Sequence, residues 1–450
     1  MKTAVCVKIC DGELNPFDGA ALECALRFGG EVIAVSMCPP SAENELKRLT
    51  RLGIKVIHIS DRLYAGADTL ATGRVLARAM ELIKPDIIFC GRQSVDGDTA
   101  QVGPCLSALM NIPVITNVME ITSLDENEIS CRTRAENAAA KLPCVITVER
   151  ICSLRFPALR SRASEPEKWD NTILGLDEAL CGLKGSPTRV MKVFENKAGR
   201  RKCTFIDTQE LLPLVQRLKE EKKEKTVKTI TSEKKLHEIW TVGKLDLPYE
   251  IAESVRIIEE KDPRKIARMA EEQKPEVILW NADLWGRSAA PVTAAMLGTG
   301  LCADCTALET DGKRLFMYRP ARSGSVTAKI ECLTNPQMAT VRTESVSSDI
   351  IVSGGRGVLG RLDRLEKLAD CLGAELGASR GLVDAGGAKY DRQIGLTGKT
   401  VSPEIYIAVG ISGAVHHTCA FENAGTVIAV NPDKNARIFD YADFGIIAEF

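Results

Sequence analysis

The fold is decided by residues 348–357, which read Ser-Asp-Ile-Ile-Val-Ser-Gly-Gly-Arg-Gly. A short apolar run passes into a glycine-rich turn, and leucines at 362, 365, 368 and 372 then recur at the spacing of one helix face. Residues 405–414, Ile-Tyr-Ile-Ala-Val-Gly-Ile-Ser-Gly-Ala, repeat the strand and the turn. Glycines let a backbone approach a pyrophosphate, and a helix N-terminus offers free N–H groups. Two such crossings predict a C-terminal, Rossmann-like dinucleotide-binding domain.

Length and charge limit the class of protein. A chain of 450 residues predicts roughly three domains. The formal net charge of −1 gives no electrostatic reason to expect nucleic acid or an anionic membrane as a partner. Only Met1 and Lys2 precede the first predicted strand, and no apolar run is long enough to span a bilayer. We therefore expect a cytoplasmic protein with no membrane span.

The sixteen cysteines are scattered and show no disulfide-like spacing. Cys302 and Cys305 have metal-ligand spacing, but no second pair or nearby histidine would complete four ligands, so we predict no metal. The sequence also lacks a G-x-S-x-G nucleophile motif and a P-loop. These features point away from hydrolysis and towards chemistry supplied by a cofactor.

The N-terminal half alternates strands and helices, which predicts a parallel α/β sheet. The predicted strands are Val5–Ile9, Glu31–Ser36, Lys55–Ile59 and Asp86–Cys90. Ligands of such sheets bind at the carboxyl ends of strands. There, residues 91–104, Gly-Arg-Gln-Ser-Val-Asp-Gly-Asp-Thr-Ala-Gln-Val-Gly-Pro, collect carboxylates, amides and glycines suited to a sugar and a phosphate.

An internal repeat follows. Residues 84–90, Lys-Pro-Asp-Ile-Ile-Phe-Cys, recur as residues 274–280, Lys-Pro-Glu-Val-Ile-Leu-Trp, and each copy precedes a loop, a small-residue helix and a β-rich stretch. Two homologous α/β units are therefore predicted, the second one abbreviated. Between them, residues 217–236 are mostly charged and predict a solvated tether.

The C-terminal motifs resemble the FAD-binding domain of the electron transfer flavoprotein alpha subunit. They are Ser353-Gly-Gly-Arg-Gly, Ser379-Arg380, Gln393-Ile-Gly-Leu-Thr-Gly-Lys, and Gly410-Ile-Ser-Gly-Ala followed by His417. The resemblance implies that Arg380, Thr397 and His417 tune the flavin, with His416 or His417 facing it. It further implies cofactor contacts at Ser353, Arg356, Gly357, Ser379, Gln393, Ile394, Gly395, Gly398, Gly410, Ile411, Ser412, Gly413, Ala414, Asn431, Glu449 and Phe450.

Residues 1 to about 160 resemble the beta subunit of the same flavoprotein, in which the loop after the fourth strand holds AMP or, in electron-bifurcating members, a second FAD. The sequence Asp96-Gly-Asp-Thr-Ala-Gln-Val-Gly-Pro is similar to the bifurcating type, so a second FAD is favoured over AMP. The implied contacts are Cys6, Asn15, Phe17, Asp18, Met37, Asp96, Gly97, Asp98, Thr99, Ala100, Gln101, Val102 and Gly103.

The resemblance implies beta-like and alpha-like parts fused in one chain. The expected divisions are residues 1–216, beta-like; 217–236, tether; 237–347, abbreviated alpha-like; and 348–450, FAD-binding, with a hinge near 345–349. The implied function is electron transfer to or from an acyl-CoA dehydrogenase-like or other dehydrogenase. If the chain bifurcates, NADH is the electron donor and ferredoxin or flavodoxin a second acceptor.

Two alternatives remain open. One is a non-bifurcating carrier with one FAD and a structural AMP. The other is a nucleotide-binding sensor without redox turnover.

Overall fold

The computed structural model describes residues 1–195, 201–220, 234–245, 251–322, 326–342, 349–395, 398–399, 401–422 and 424–450. Thr397, most of the predicted tether and residues 345–348 of the predicted hinge lie outside these ranges. The chain divides into two compact units. The first comprises Met1–Val193, Ile230–Arg322 and Ala328–Arg342, and the second comprises Phe194–Thr229, Ser323–Thr327 and Thr343–Phe450.

The strands in chain order are β1 Lys2–Cys6, β2 Ile9–Cys10, β3 Glu13–Leu14, β4 Glu31–Met37, β5 Lys55–Ile59, β6 Ile87–Gly91, β7 Val114–Leu124, β8 Glu128–Thr133, β9 Asn137–Lys141, β10 Cys144–Val148, β11 Glu167–Trp169, β12 Thr188–Glu195, β13 Thr204–Phe205, β14 Leu236–Val242, β15 Ala252–Ile258, β16 Val277–Asn281, β17 Leu301–Cys305, β18 Ala307–Thr310, β19 Leu315–Ala321, β20 Val326–Cys332, β21 Gln337–Val341, β22 Ile350–Gly354, β23 Glu375–Ser379, β24 Gln393–Ile394, β25 Ile405–Val409, β26 Thr426–Val430 and β27 Phe444–Ile446.

The helices are α1 Pro16–Phe28, α2 Glu43–Thr50, α3 Thr69–Ile83, α4 Val102–Met110, α5 Asn171–Leu174, α6 Leu211–Glu220, α7 Pro263–Gln273, α8 Leu284–Leu297, α9 Leu362–Leu372, α10 Arg380–Asp384 and α11 Val415–Thr418.

The first half of the first unit is built on a sheet with strand order β11-β5-β4-β1-β6-β10-β7-β8-β9. The strands from β11 to β7 run parallel, and β7, β8 and β9 form an antiparallel extension. The chain leaves β1 in one direction through β4 and β5, and then returns to β6 on the other side of β1. The topological switch point therefore lies between β1 and β6, which is where such sheets bind ligands.

The second half of the first unit repeats this plan in a smaller sheet, β15-β14-β16-β21-β17. The backbone confirms the predicted repeat. Asn117 has φ of 56° and Asp304 has φ of 64°. The N–H of Asn117 donates to Thr147 Oγ1 at 3.0 Å, and that of Asp304 donates to Thr340 Oγ1 at 2.7 Å. Helices α4 and α8, which are equivalent in the repeat, pack against each other and join the halves.

The second unit contains a sheet with strand order β13-β27-β26-β25-β22-β23-β24, parallel throughout. Its first long strand, β22, lies between β23 and β25, so its switch point lies between β22 and β25. Apolar residues fill both faces. One core contains Val352, Ile407 and Ile428, and the other contains Ile351, Tyr406 and Val427.

The predicted α/β class, with two related parallel-sheet units and a C-terminal Rossmann-like domain, is confirmed. One strand was misplaced, because β1 ends at Cys6 and not at Ile9. Beyond Cys6 the chain leaves the sheet for the β2–β3 hairpin, and the Lys8 amide donates to Asp18 Oδ2 at 2.8 Å. Within the described ranges, no helix combines the length and apolar character needed to cross a membrane.

Candidate functional site

Two glycine loops meet at the switch point of the second unit. Gly355 N–H donates to Val409 O at 2.8 Å, and Gly357 N–H donates to Gly410 O at 3.2 Å. A Cβ on Gly355 would lie 2.1 Å from Gly410 O, so a side chain there is excluded. Gly410 itself has φ of 62°, a conformation that favours glycine. The loops therefore form a close-packed backbone cradle.

The other predicted contacts of this unit lie along the same carboxyl edge. Ser379 caps α10 by accepting a hydrogen bond from Leu382 N, and Gln393 and Ile394 form β24 and are buried. Asn431 follows β26 and donates through Nδ2 to Ile411 O at 2.9 Å, which fixes the second glycine loop. The remaining predicted contacts that the structure describes lie in or beside the two glycine loops, just after β24, or in the last two residues. They are Ser353, Arg356, Gly395, Gly398, Ser412, Gly413, Ala414, Glu449 and Phe450.

The His417 side chain is buried and both of its ring nitrogens are hydrogen-bonded within the protein. Nδ1 lies 3.0 Å from Ile394 O, and Nε2 lies 2.9 Å from Tyr406 Oη. A carbonyl only accepts, so Nδ1 carries the proton and Nε2 accepts from the tyrosine. Burial lowers the pKa of His417 to about 4, which keeps the ring neutral at pH 7. His416 is exposed. His417 thus fixes β24 against β25 as a neutral group.

Arg380 is the predicted cation of this site. Its Nε donates to Asp384 Oδ2 at 3.1 Å along α10, and its side chain is 30% exposed. Arg361, which the sequence analysis did not select, donates to the carbonyl of Phe450 at 2.8 Å and holds the end of the chain against the helix α9 region. Its position before α9 carried no recognisable signal in the sequence.

The donor set fits FAD. The cradle at Gly355 and Gly410 lacks side chains at these two positions, so a pyrophosphate can come close to the backbone there. Arg356 is exposed beside it, and Arg380 supplies a positive charge farther along the same edge. An extended dinucleotide needs a cradle for its pyrophosphate and a positive charge for its ring at separate points along one edge of the sheet.

At the switch point of the first unit, Asp18 connects two strand ends. Its carboxylate accepts from Lys8 N at 2.8 Å and from Gly91 N at 3.2 Å. Burial raises the pKa of Asp18 to about 7, although these hydrogen bonds oppose the shift. Asn15 donates to Gln93 O at 2.9 Å, while its buried Oδ1 accepts no hydrogen bond from any part of the chain that the structure describes.

The predicted loop after β6 is held in an irregular conformation. Asp98 and Ala100 have φ of 52° and 56°, in the left-handed region. Asp96 accepts from Gly97 N at 2.8 Å and from Lys8 Nζ at 2.6 Å. Asp96 is half-buried, which alone would raise its pKa, but the Lys8 contact is among those that lower the pKa to about 2. Lys8 lies in the short segment after β1 and was missed by the sequence analysis.

The remaining predicted residues of this half lie at neighbouring positions of the same edge or in the first turn of the following helix. They are Cys6 at the end of β1, Phe17 in α1, Met37 at the end of β4, and Thr99, Val102 and Gly103 around the start of α4. The sequence-predicted set of the first unit therefore converges on one switch point.

The starts of α4 and α8 differ in whether the N-cap side chain accepts a hydrogen bond from the free N–H groups of the helix. At α8, the Asp283 carboxylate accepts from Gly286 N at 2.7 Å and caps the helix. At α4, the N-cap Gln101 makes no side-chain capping hydrogen bond, and its Nε2 instead donates to Leu301 O at 3.2 Å. In the first half, the N-cap side chain of α4 thus leaves the first amides of the helix uncapped. In the second half, the Asp283 carboxylate caps the corresponding amides of α8.

Strand ends also differ between the repeats. Cys6 pairs with Cys90 in the first half, and Val242 pairs with Trp280 at the equivalent place in the second. The indole of Trp280 is fully buried and lies 5.5 Å from the ring of Trp285 in α8. Aromatic side chains therefore fill, in the second half, the region where the first half keeps small side chains beside its loop.

No metal-binding group of three or more histidine, cysteine, aspartate or glutamate residues occurs in the ranges that the structure describes. The pair at Cys302 and Cys305 is buried at the end of β17, and the Cys305 thiol contacts the Cys302 carbonyl at 3.5 Å. Burial raises the pKa of Cys305, which keeps it a thiol.

Both units are therefore parallel α/β folds of the nucleotide-binding class, each with a loop cluster at its switch point. Comparison with known families adds the identity. The Electron transfer flavoprotein domain matches residues 3–174 and 259–362, and the Electron transfer flavoprotein FAD-binding domain matches residues 346–422. The chain belongs to the electron transfer flavoprotein family, with beta-like and alpha-like parts fused as predicted, and the C-terminal region carries its FAD-binding domain.

Curated relatives agree with this assignment. The chain is 40% identical over 233 residues to "Electron transfer flavoprotein subunit alpha" of Thermoanaerobacterium thermosaccharolyticum, covering 41% of this chain and 71% of the relative. It is 39% identical over 219 residues to "Protein FixA" of Sinorhizobium fredii, covering 44% of this chain and 77% of the relative. It is 38% identical over 223 residues to "Protein FixB" of Azotobacter vinelandii, covering 39% of this chain and 62% of the relative.

Proposed function

We propose that this chain is an electron-bifurcating electron transfer flavoprotein with a second FAD in its N-terminal half. FAD, when bound, accepts a hydride and releases electrons singly or in pairs. The chain takes electrons from NADH at the first unit. It passes one to a low-potential carrier such as ferredoxin or flavodoxin, and the other to the FAD of the second unit, which serves a dehydrogenase.

The observation that carries this proposal is the contrast between the repeats. The second half caps α8 with Asp283 and fills its strand end with Trp280, whereas the first half leaves α4 uncapped and keeps Cys90. Uncapped amides favour a phosphate, and the buried Oδ1 of Asn15 favours a donor group such as an adenine amine. A nucleotide is therefore proposed in the first half and not in the second.

Each group has a proposed task. The α4 amides and the loop at Asp96–Gly103 bind the phosphates in the first unit. In the second unit the cradle at Gly355 and Gly410 binds the pyrophosphate, and Arg380 favours added negative charge on the ring. His417 is neutral and positions the backbone at Ile394 by accepting from Tyr406 and donating to the carbonyl.

A dehydrogenase partner is supported by a surface segment of the first unit. Phe156 is 96% exposed and Leu159 is 99% exposed, in a stretch without regular secondary structure. Large apolar side chains exposed this close together in the chain suit a protein–protein docking site. Arg160 and Arg162 lie beside them, which suits a partner surface with acidic groups.

The test is to denature the purified chain and quantify released FAD and AMP against protein. Two FAD and little AMP per chain are expected, followed by reduction of flavin on addition of NADH. One FAD with one AMP would instead assign a structural nucleotide to the first unit and a simple carrier role to the chain. Absence of both would refute a nucleotide site there.

A further inference from the structure

Arg319 is a buried cation whose hydrogen bonds are incomplete. It lies on β19, and its residue is 5% exposed. Its Nε and Nη2 are buried and donate to no acceptor among the described parts of the chain. Buried guanidinium N–H groups are normally paired, since leaving them unpaired is costly.

The two unpaired groups share one edge of the guanidinium. Nε–H and Nη2–H point in the same direction and form the fork that binds a carboxylate or phosphate through two parallel hydrogen bonds. Arg319 therefore presents a complete bidentate donor. Its chemistry calls for an anion with two acceptor oxygens, because such an anion gives each N–H its own acceptor and offsets the buried positive charge.

The nearby carboxylate is already engaged by other arginines. Asp304 accepts from Arg342 Nε at 2.6 Å and forms an ion pair with Arg287. Burial alone would raise the pKa of Asp304, but the charges of Arg287 and Arg342, with a smaller contribution from Arg319, hold it well below its usual range. Asp304 is thus paired with Arg287 and Arg342, and within the described residues it accepts no hydrogen bond from Arg319 Nε or Nη2.

We propose that Arg319 forms a buried oxyanion-binding site near the carboxyl end of β17, where it takes a phosphate or carboxylate through its Nε–Nη2 edge. The anion has two possible sources. One is free in solution, and the other is the phosphate of a nucleotide held by the loop at Asp96. That loop is close, because Arg322 N–H donates to Asp96 O at 3.2 Å. The site does not depend on a second FAD or on bifurcation.

The test follows thermal unfolding of the full chain by tryptophan fluorescence, since all four tryptophans lie in the first unit. Inorganic phosphate, acetate and AMP are titrated separately in a zwitterionic buffer. Binding to the folded state raises the midpoint. Arg319→Lys keeps the charge but loses the fork, and we expect its apparent affinity to fall at least tenfold. Arg314→Lys, at a half-exposed arginine just before β19, is the matched control and should match the unsubstituted chain.

The outcomes separate the sources. A response to phosphate or acetate assigns a free oxyanion, and a response to AMP alone assigns a nucleotide phosphate. Arg319→Met should show no response, yet unfold at a higher temperature than the unsubstituted chain in anion-free buffer, because it removes an unpaired buried charge. Identical titrations for the unsubstituted chain and Arg319→Lys, or no response to any of the three probes, would overturn the proposal.

Discussion

Nε2 of His417 accepts a hydrogen bond from the hydroxyl of Tyr406 at 2.9 Å, and both side chains are buried beneath the carboxyl edge of the second unit. Tyr406 also stacks on Phe421, with ring centroids 4.2 Å apart. This arrangement makes the histidine part of the core beneath β24 and β25. We expect any effect of His417 on a bound flavin to pass through the position of the Ile394 backbone, to which its Nδ1 donates.

Replacing His417 by Asn should remove a pH dependence of stability. The folded-state pKa of His417, about 4, lies below the ordinary histidine value of about 6.5, so the unfolded state binds more protons between these values. Stability is therefore complete above pH 6.5 and falls as pH drops towards 4, by about 3 kcal/mol for this shift. Denaturant unfolding of the chain and of the variant, followed by circular dichroism from pH 4 to 8, measures the difference. His416→Asn is the exposed control and should retain the slope.

Asp18 should give the opposite slope in the first unit. Its folded-state pKa of about 7 lies above the ordinary aspartate value of 3.8, so the folded state binds more protons between these values. This group's contribution to stability therefore decreases as pH rises from 3.8 to 7. In Asp18→Asn, unfolding followed by tryptophan fluorescence should lack that decrease. An unchanged pH profile would show that Asp18 titrates normally.

Gly355→Ala should disrupt the cradle of the second unit. The added Cβ would lie 2.1 Å from Gly410 O, a backbone atom that has to shift. We expect a loss of about 1–3 kcal/mol in unfolding free energy and reduced FAD content. Gly19→Ala in α1 is a control, because its nearest neighbour is Leu14 Cδ2 at 3.6 Å. There a gain of up to about 1 kcal/mol is expected from helix propensity.

Arg380→Lys should lower the reduction potential of the FAD. Loss of one charge-assisted hydrogen bond removes roughly 1.5–3 kcal/mol, or about 60–130 mV for one electron. Asp384→Asn should raise the potential, because the carboxylate that pairs with Arg380 Nε offsets its charge. Spectroelectrochemical titration measures both, and shifts of the same sign in the two variants would rule out this assignment.

Gln101→Asp should close the proposed phosphate site of the first unit by supplying the cap that Asp283 gives α8. The helix gains about 1 kcal/mol from the cap, while the carboxylate repels a phosphate at the same amides. Released nucleotide per chain should therefore fall without loss of stability. Gln101→Asn caps without charge and separates the two effects, since it should retain more nucleotide than Gln101→Asp.

Local sequence determined much of the architecture. The strand and glycine turn at 348–357 and the helix at Leu362–Leu372 follow from apolar spacing and glycine placement, and the structure has them there. The repeat at Lys84 and Lys274 also predicted two related sheets. These features depend on residues close together in the chain, whose preferences the sequence states directly.

Tertiary structure decided which side chains face a ligand and which are used internally. His417 and His416 are adjacent in sequence, yet one is buried against Tyr406 and the other is exposed. Likewise, the Arg342 side chain is 7% exposed and Arg319 is buried, but of these two only Arg342 bonds to Asp304. The physical reason is that the residues that bury a side chain and bond to it come from strands far apart in the chain. Whether a side chain is charged and free to contact a ligand is therefore fixed only when the sheets assemble.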